Sequence, residues 1–379
     1  MESDSKRTST KSKPTLIFLE TTVACDYRCR HCRASTQSDP SPDEMTVDQV
    51  IHAIDGIKQF GKPYPTVIFT GGNLLMKDGI REIIKHTHDL DIPFSLSPSG
   101  SSLMTPDFLN FAVENSVKSF SLSIDGSEGK THDWLRRNPG SLSLTISLLR
   151  EIHAMGIPVQ INTTVMKKNV KDLPFIAKLL KDLGVKIWEV FFLIKTGRGL
   201  YEKDLNPEEM EDVNLWLSTL EDHGITVRPV ESPIFRRIRQ QKTDGVELKG
   251  GALYEKLMST TQEIFGNSHH KPKEPLKKGP RPEFGLVFIA QNGDVYPNGF
   301  LPISRGNVKS ENLAEIYWND EMIHNIYSRN FLKGRCGECE YKHVCGGSRS
   351  RAYSTYKDPF AEDPACIYQP SGSGSFGGR

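Results

Sequence analysis

The stretch Cys25-Asp26-Tyr27-Arg28-Cys29-Arg30-His31-Cys32 decides the reading of this chain. It follows a short apolar run of strand type, Leu16-Ile17-Phe18-Leu19. Three thiolates spaced by three and then two residues can fold over one corner of an iron–sulfur cubane. They would hold three irons of a 4Fe–4S cluster and leave the fourth open to a small molecule. A zinc site that borrows His31 is the alternative for the same residues, but a tight three-thiol loop at a strand end suits a cubane better.

The remaining cysteines are Cys336, Cys339, Cys345 and Cys366, and none falls between residues 33 and 335. Seven is an odd number, unsuited to a full set of disulfides. Residues 1–13 are polar and basic, with no apolar signal stretch. A reducing cytoplasm is therefore the expected location, where clustered cysteines bind metal more often than they pair. Three plus four accounts for every thiol as one open cluster and one fully ligated cluster. The C-terminal spacing alone fits structural zinc as well as iron–sulfur; the N-terminal trio favours a second 4Fe–4S cluster.

With 379 residues the chain can build a large domain and a smaller one. Its 48 Lys+Arg against 47 Asp+Glu create no field for nucleic acid. No apolar run reaches the roughly 18 residues of a membrane span. The longest, Val190-Phe191-Phe192-Leu193-Ile194, has the length of a buried strand.

Short β-type runs at 15–20, 66–70, 93–97, 119–124, 159–165 and 187–194 alternate with helical stretches near 46–60, 78–90, 105–115, 140–155, 172–183 and 207–223. In the first helix Val47, Val50, Ile51, Ile54 and Ile57 recur at helical spacing and form one core-facing stripe. Gly156, Gly184 and Gly224 follow three of the helices as C-terminal stops. Strand–helix alternation implies parallel strands with right-handed crossovers. Six units are too few to close the eightfold barrel. The expected fold is therefore α/β, an incomplete (β/α)6 barrel, with ligands at the carboxyl ends of its strands.

The organisation expected is a disordered tail over 1–13, the partial barrel over 14–231, and a linker or lid over 232–283. An auxiliary α+β iron–sulfur domain follows over 284–370, then a flexible tail over 371–379. The lid stretch is polar and basic and contains Gly250-Gly251, His269-His270 and a Pro/Lys-rich segment. The auxiliary domain opens with a hairpin, Leu286–Ile289, a turn at Asn292-Gly293, and Asp294–Tyr296. A helix near 311–328 leads to the second cysteine set.

Over roughly residues 15–370 the chain resembles radical S-adenosylmethionine (SAM) enzymes with a SPASM or twitch-type auxiliary domain. The resemblance is carried by Cys25/Cys29/Cys32, Phe69-Thr70-Gly71-Gly72, Ser121-Leu-Ser-Ile-Asp-Gly126, His132-Asp133-x-x-Arg136 and the four C-terminal cysteines. It implies that the methionine part of SAM chelates the open iron, and that an electron from the cluster splits the sulfonium to a 5′-deoxyadenosyl radical. Gly71 and Gly72 would let backbone carbonyls approach the methionine amine. The family's next residue is usually Glu or Asp; here it is Asn73, whose amide oxygen can still accept from the amine. Ser123 and Arg136 match groups that hold the methionine carboxylate, and Asn162 and Thr163 match positions reaching the ribose or adenine. A flavodoxin- or ferredoxin-type reductant is implied as the partner.

Some relatives carry further auxiliary cysteines where this chain has Asn298 and Ser348. Only one auxiliary cluster has enough thiols here, and four ligands leave it no open iron, which points to electron transfer. Within the superfamily, Gln160–Thr164, Thr196–Gly199, Asn298–Leu301, Val344–Gly347 and Cys366–Pro370 resemble the tetrapyrrole-modifying branch. That branch includes the haem synthases that oxidatively decarboxylate iron-coproporphyrin III.

The branch implies a porphyrin substrate, whose carboxylates call for cations at the barrel mouth. Lys195 and Arg198, just after the sixth strand, are the first candidates. Arg28, Arg30 and Arg33 near the first cluster and Arg236, Arg237 and Arg239 in the lid are others. Tyr296 is the candidate for a proton or radical relay. The rival readings are a maturase of ribosomal peptides, opposed by the short stretch before Cys25, and a non-catalytic metal-binding scaffold.

Overall fold

The structure, a computed structural model, describes residues 12–266 and 285–371. The expected N-terminal tail lies almost wholly outside these residues. So do most of the C-terminal tail and the part of the lid that holds His269 and His270.

Nine strands form one sheet: β1 (Leu16–Glu20), β2 (Thr66–Thr70), β3 (Phe94–Leu96), β4 (Phe120–Ser123), β5 (Val159–Val165), β6 (Ile187–Phe192), β7 (Thr226–Val230), β8 (Leu286–Ile289) and β9 (Val295–Tyr296). Their order is β7-β6-β5-β4-β3-β2-β1-β8-β9, parallel except for the β8–β9 pair. The helices that cross between the barrel strands are α1 (Val47–Gly56), α2 (Ile80–Asp89), α3 (Pro106–Glu114), α4 (Gly129–Arg136), α5 (Ser141–Ala154), α6 (Leu173–Asp182) and α7 (Pro207–Leu217). Six of the strands are the ones the alternation predicts, and the sheet runs open from edge to edge as an incomplete barrel.

Two edges differ from expectation. The hairpin assigned to the auxiliary domain docks on the barrel, with Leu16 paired to Leu286 and Phe18 to Phe288. This parallel pairing joins residues far apart in sequence and leaves no mark in local periodicity. At the other edge β7 pairs with β6, although Arg228 and Pro229 break its apolar run. Proline is tolerated there because an edge strand needs fewer ladder donors.

The lid segment holds α8 (Ile234–Thr243) and α9 (Ala252–Phe265) in its described part. Trp216 of α7 donates to Thr261 of α9 at 2.9 Å and lies edge-on to Trp188 of β6. Those two indoles, both fully buried, anchor this side of the core. Helices α10 (Leu313–Asn319), α11 (Glu321–Ser328), α12 (Gly334–Glu338) and α13 (Arg349–Tyr356) complete the chain. Asp320 splits the long helix expected near 311–328, because its side chain caps α11 by accepting from Ile323 N.

The pleat sorts the strands by face. Ile17, Val67, Leu122, Ile161, Trp188 and Val190 are buried against the helices. Their neighbours Ser121, Ser123, Gln160, Asn162 and Glu189 project to the concave face. No helix among the described residues is long and apolar enough to cross a membrane.

Candidate active site

The cysteine loop leaves β1 and is pinched shut at its base. Cys25 N donates to Gln37 O at 2.8 Å, and Gln37 N to Val23 O at 3.1 Å. Inside it, Tyr27 N donates to Cys25 Sγ, and the Tyr27 hydroxyl reaches Gly100 O at 2.6 Å. Gly72 backs the strand that enters the loop: its N–H donates to Thr22 O, and a Cβ there would lie 2.2 Å from Ala24 O. Gly71 is equally confined, with Thr22 O 2.6 Å from its would-be Cβ. The close approach expected of these glycines is thus, in this structure, an approach to the loop's own backbone.

Cys25, Cys29 and Cys32 come together around Tyr27, all unpaired. Burial pushes the Cys25 thiol up to about 11 and raises Cys29, whose neighbour Arg136 opposes the shift. Among the described residues no three His, Cys, Asp or Glu side chains are close enough to hold one metal ion. His31 places Nε2 3.5 Å from Asp125, and its Nδ1 is buried with no hydrogen-bond partner among the described residues. Three thiols spread over one loop fit the corner of a cubane, and binding would drive off the protons that burial holds on them.

Arg198 and Lys195 are spent on backbone. Arg198 donates to Cys29 O at 2.8 Å, Thr36 O at 2.7 Å and Thr36 Oγ1 at 2.9 Å, and its N–H donates to Cys32 O. Gly197 before it has φ +52 and leaves no room for a Cβ, which would fall 2.2 Å from Arg33 O. Arg198 therefore shapes the loop and is not free to meet a substrate carboxylate. Lys195 donates to Glu202 O and to Leu200 O. Arg33 pairs with Glu20 at 2.6 Å, and Arg239 with Glu221 at 3.2 Å.

Behind the thiols lies a buried charge group that α4 builds. His132 and Arg136, four residues apart, share one helix face. Arg136 pairs with the fully buried Asp125 at 2.6 Å and points Nη1 at Cys29 Sγ, 3.6 Å away. Its Nε has no hydrogen-bond partner among the described residues and remains a donor to spare. Burial pushes the Asp125 carboxyl up, but Arg136, His31, His132 and the Thr164 N–H outweigh it and the net direction is down. Burial drives both His31 and His132 down to about 4, so they are neutral near pH 7. Ser121–Gly126 contains Asp125, but no local pattern marks His31, 94 positions earlier, as its neighbour.

Asn73 is fully buried, donates to Asp26 Oδ1 at 2.9 Å and Ser101 Oγ at 3.1 Å, and accepts from Leu75 N. Ser123 and Asn162 stand side by side on the concave face, paired in register, and Asn162 Oδ1 accepts from Gln160. Thr163 does not join them. It lies on the helix side of β5, fully buried, donating to Ile124 O and accepting from Trp188 Nε1 at 2.8 Å.

The C-terminal cysteines are brought to one cavity, which Arg237 and Lys342 also line. Asp363 N–H donates to Cys336 Sγ at 3.3 Å, and Arg349 lies 3.8 Å from the same sulfur. Gly346 and Gly347, at φ +73 and +64, turn the chain tightly there, and a Cβ on Gly347 would lie 3.1 Å from Cys336 Sγ. Burial raises Cys345 to about 12 and Cys366 to about 11. Arg237, from the segment read as a lid, is buried, and its Nε has no hydrogen-bond partner among the described residues, a donor suited to an anionic cluster. Ser348 and Ser350 donate to Glu231 at the end of β7, and Ser350 also to Asn298. Ser348 thus ties the auxiliary region to the end of β7, while Asn298 is bonded within the auxiliary region. Tyr296 stacks on Phe288 and donates to Asp294 at 3.4 Å; burial and that carboxylate raise it to about 12.

An open parallel barrel whose first strand runs into a three-thiol loop defines a radical SAM enzyme. The chain belongs to the radical SAM superfamily, whose family model, described as Radical SAM superfamily, matches residues 19–180. It is 34% identical over 360 residues to the AdoMet-dependent heme synthase of Methanosarcina barkeri, covering 94% of this chain and 97% of that one. It is 32% identical over 369 residues to the AdoMet-dependent heme synthase of Nitratidesulfovibrio vulgaris, covering 96% and 95%. The crystal structure of Streptococcus suis SuiB bound to S-adenosylmethionine matches with a TM-score of 0.68 at 14% identity, over 94% of this chain and 78% of that one. At that identity the likeness is one of fold. The superfamily, its barrel and the tetrapyrrole-modifying branch expected from the motifs are thereby borne out.

Proposed function

We propose that this enzyme oxidatively decarboxylates two propionates of iron-coproporphyrin III to vinyl groups, giving haem b in a reducing cytoplasm. The observation that carries this reading is the identity of about one third, sustained over nearly the whole chain, with relatives that bear the haem-synthase name.

Cys25, Cys29 and Cys32 would ligate a 4Fe–4S cluster. Gly71, Gly72, Ser123 and Asn162 would line the SAM cleft, with Arg136 Nε as a further donor. When bound, the cluster and SAM supply a 5′-deoxyadenosyl radical. Each propionate then loses a hydrogen atom from its β-carbon, carbon dioxide and one electron. Cys336, Cys339, Cys345 and Cys366 would hold a second 4Fe–4S cluster, set among Arg237, Lys342 and Arg349, that takes up that electron. A flavodoxin- or ferredoxin-type donor would supply the electron that starts each cycle.

The test is anaerobic reconstitution with iron and sulfide, then incubation with SAM, a one-electron reductant and iron-coproporphyrin III. Mass spectrometry should show stepwise loss of one carbon dioxide and two hydrogens per propionate, with one 5′-deoxyadenosine released at each step. Release of 5′-deoxyadenosine with the porphyrin unchanged would overturn the proposal.

A further inference from the structure

The polar row on the concave face does not stop at Asn162. Backbone pairing sets Ser123, Asn162, Glu189 and Arg228 abreast on β4, β5, β6 and β7. Residues paired in parallel register project to the same side of a sheet. Trp188, Val190 and Val227, their immediate neighbours, belong to the core on the other side. Glu189 and Arg228 therefore extend the row into the barrel's open mouth.

Arg228 is exposed and makes no hydrogen bond or ion pair among the described residues. Of the cations nearer the cysteine loop, Arg33 is taken by Glu20, Arg136 by Asp125, and Arg198 and Lys195 by carbonyl oxygens, while Arg28, within the loop itself, is exposed as Arg228 is. An arginine with no protein acceptor presents a planar fork of donors that matches a carboxylate. Burial pushes the Glu189 carboxyl up to about 7, so near neutrality it carries only part of a charge against its neighbour.

An aromatic pair stands beside this cation. Phe191, two residues after Glu189 and on the same face, packs against Phe300 with ring centroids 6.3 Å apart. Phe191 pairs with Val230, two residues beyond Arg228, which puts one strand spacing and two rises, about 8 Å of backbone, between them. The two ring planes are tilted 47° to each other, so a flat ligand rimmed with carboxylates can lie on the face of one, touch the edge of the other and reach the guanidinium with its rim.

We infer that Arg228 is the carboxylate-recognition residue of this site, binding a propionate of a planar polyanionic macrocycle whose face lies against Phe191 and Phe300. The inference rests on the porphyrin reading above and adds to it the residue that orients the substrate.

The experiment is a Soret titration of the reconstituted holoenzyme with iron-coproporphyrin III and with its tetramethyl ester, which has the same ring and no carboxylates. Wild type, Arg228→Leu and Arg228→Lys are compared, with far-UV circular dichroism to show that each is folded. Arg228→Leu should weaken binding of the acid about tenfold or more, a loss of the order expected for one charged contact, and leave binding of the ester as in wild type. Arg228→Lys, which keeps the charge without the fork, should fall between. If both variants bind the acid as wild type does, or lose acid and ester alike, the inference falls and the decarboxylation reading stands. If wild type binds neither compound, both fall together.

Discussion

Asn73 donates its side-chain amide to Asp26 Oδ1 at 2.9 Å, so the carboxylate absent from position 73 stands one hydrogen bond away, beside Cys25. Ser99 donates to the same oxygen at 3.1 Å. The polar pair that ties the second strand's end to the cysteine loop is kept, with the acid on the loop side. Asn73→Asp would set a fully buried carboxylate against that of the exposed Asp26 and should cost about 2 kcal/mol of stability. Adding Asp26→Asn to it restores one acid and one amide, and should recover most of that loss. A double-mutant cycle by urea denaturation measures the coupling. Additive losses would show that the two side chains do not act as a pair.

Arg198 is bonded to the backbone of the loop it faces, and Gly197 lets it approach. Arg198→Ala removes three side-chain hydrogen bonds to Cys29 and Thr36. At about 1 kcal/mol each, a destabilisation of roughly 3 kcal/mol is expected. Iron should leave the reconstituted variant to a chelator several-fold faster than it leaves wild type. Gly197→Ala should do the same, since its Cβ would collide with Arg33 O. Unchanged iron retention in both would show that the loop holds its shape without them.

The barrel and both cysteine sets were legible because they rest on local pattern. Alternating runs mark six strands, and thiol spacing marks the two cysteine groups. Position along the chain is a poorer guide to what a side chain meets. Thr163 sits next to Asn162, yet the pleat turns it into the core, where it bonds Trp188. Lys195 and Arg198 follow a strand end, as substrate ligands do, but fold back on carbonyls that only the tertiary path brings near. The β8–β1 pairing, the His31–Asp125 contact and the Glu189–Arg228 register are relations between distant segments. No single window of sequence contains them.

Asp125 is fully buried, and Arg136 is the cation paired with it. Arg136→Leu would leave that carboxylate uncompensated, at a cost of about 3–5 kcal/mol. Replacing both, as Asp125→Leu with Arg136→Leu, should be less costly than the sum of the single changes, because no charge is then stranded. Guanidinium denaturation of the four proteins reads this directly. The same substitution removes a cation from beside Cys29 Sγ, so the potential of the SAM-binding cluster should fall in Arg136→Leu and be held in Arg136→Lys.

Glu189 has the opposite sign of linkage. Burial raises its carboxyl from an ordinary 4.5 to about 7, with Arg228 and a hydrogen bond from Gln160 only partly opposing the shift. The folded protein therefore holds this proton over a pH range in which the unfolded chain has released it. Its contribution is intact below about pH 4.5 and is lost as pH rises toward about 7, beyond which the penalty is constant. The full swing is about 2 kcal/mol, allowing for partial access to water. Glu189→Gln keeps the shape and never ionises. Against wild type it should be nearly neutral in stability at the acid end of that range and more stable by about the full swing at pH 8. Urea midpoints of both proteins across the range test this. A constant difference between them would mean that Glu189 is ionised throughout, and that it shields Arg228 from an incoming carboxylate.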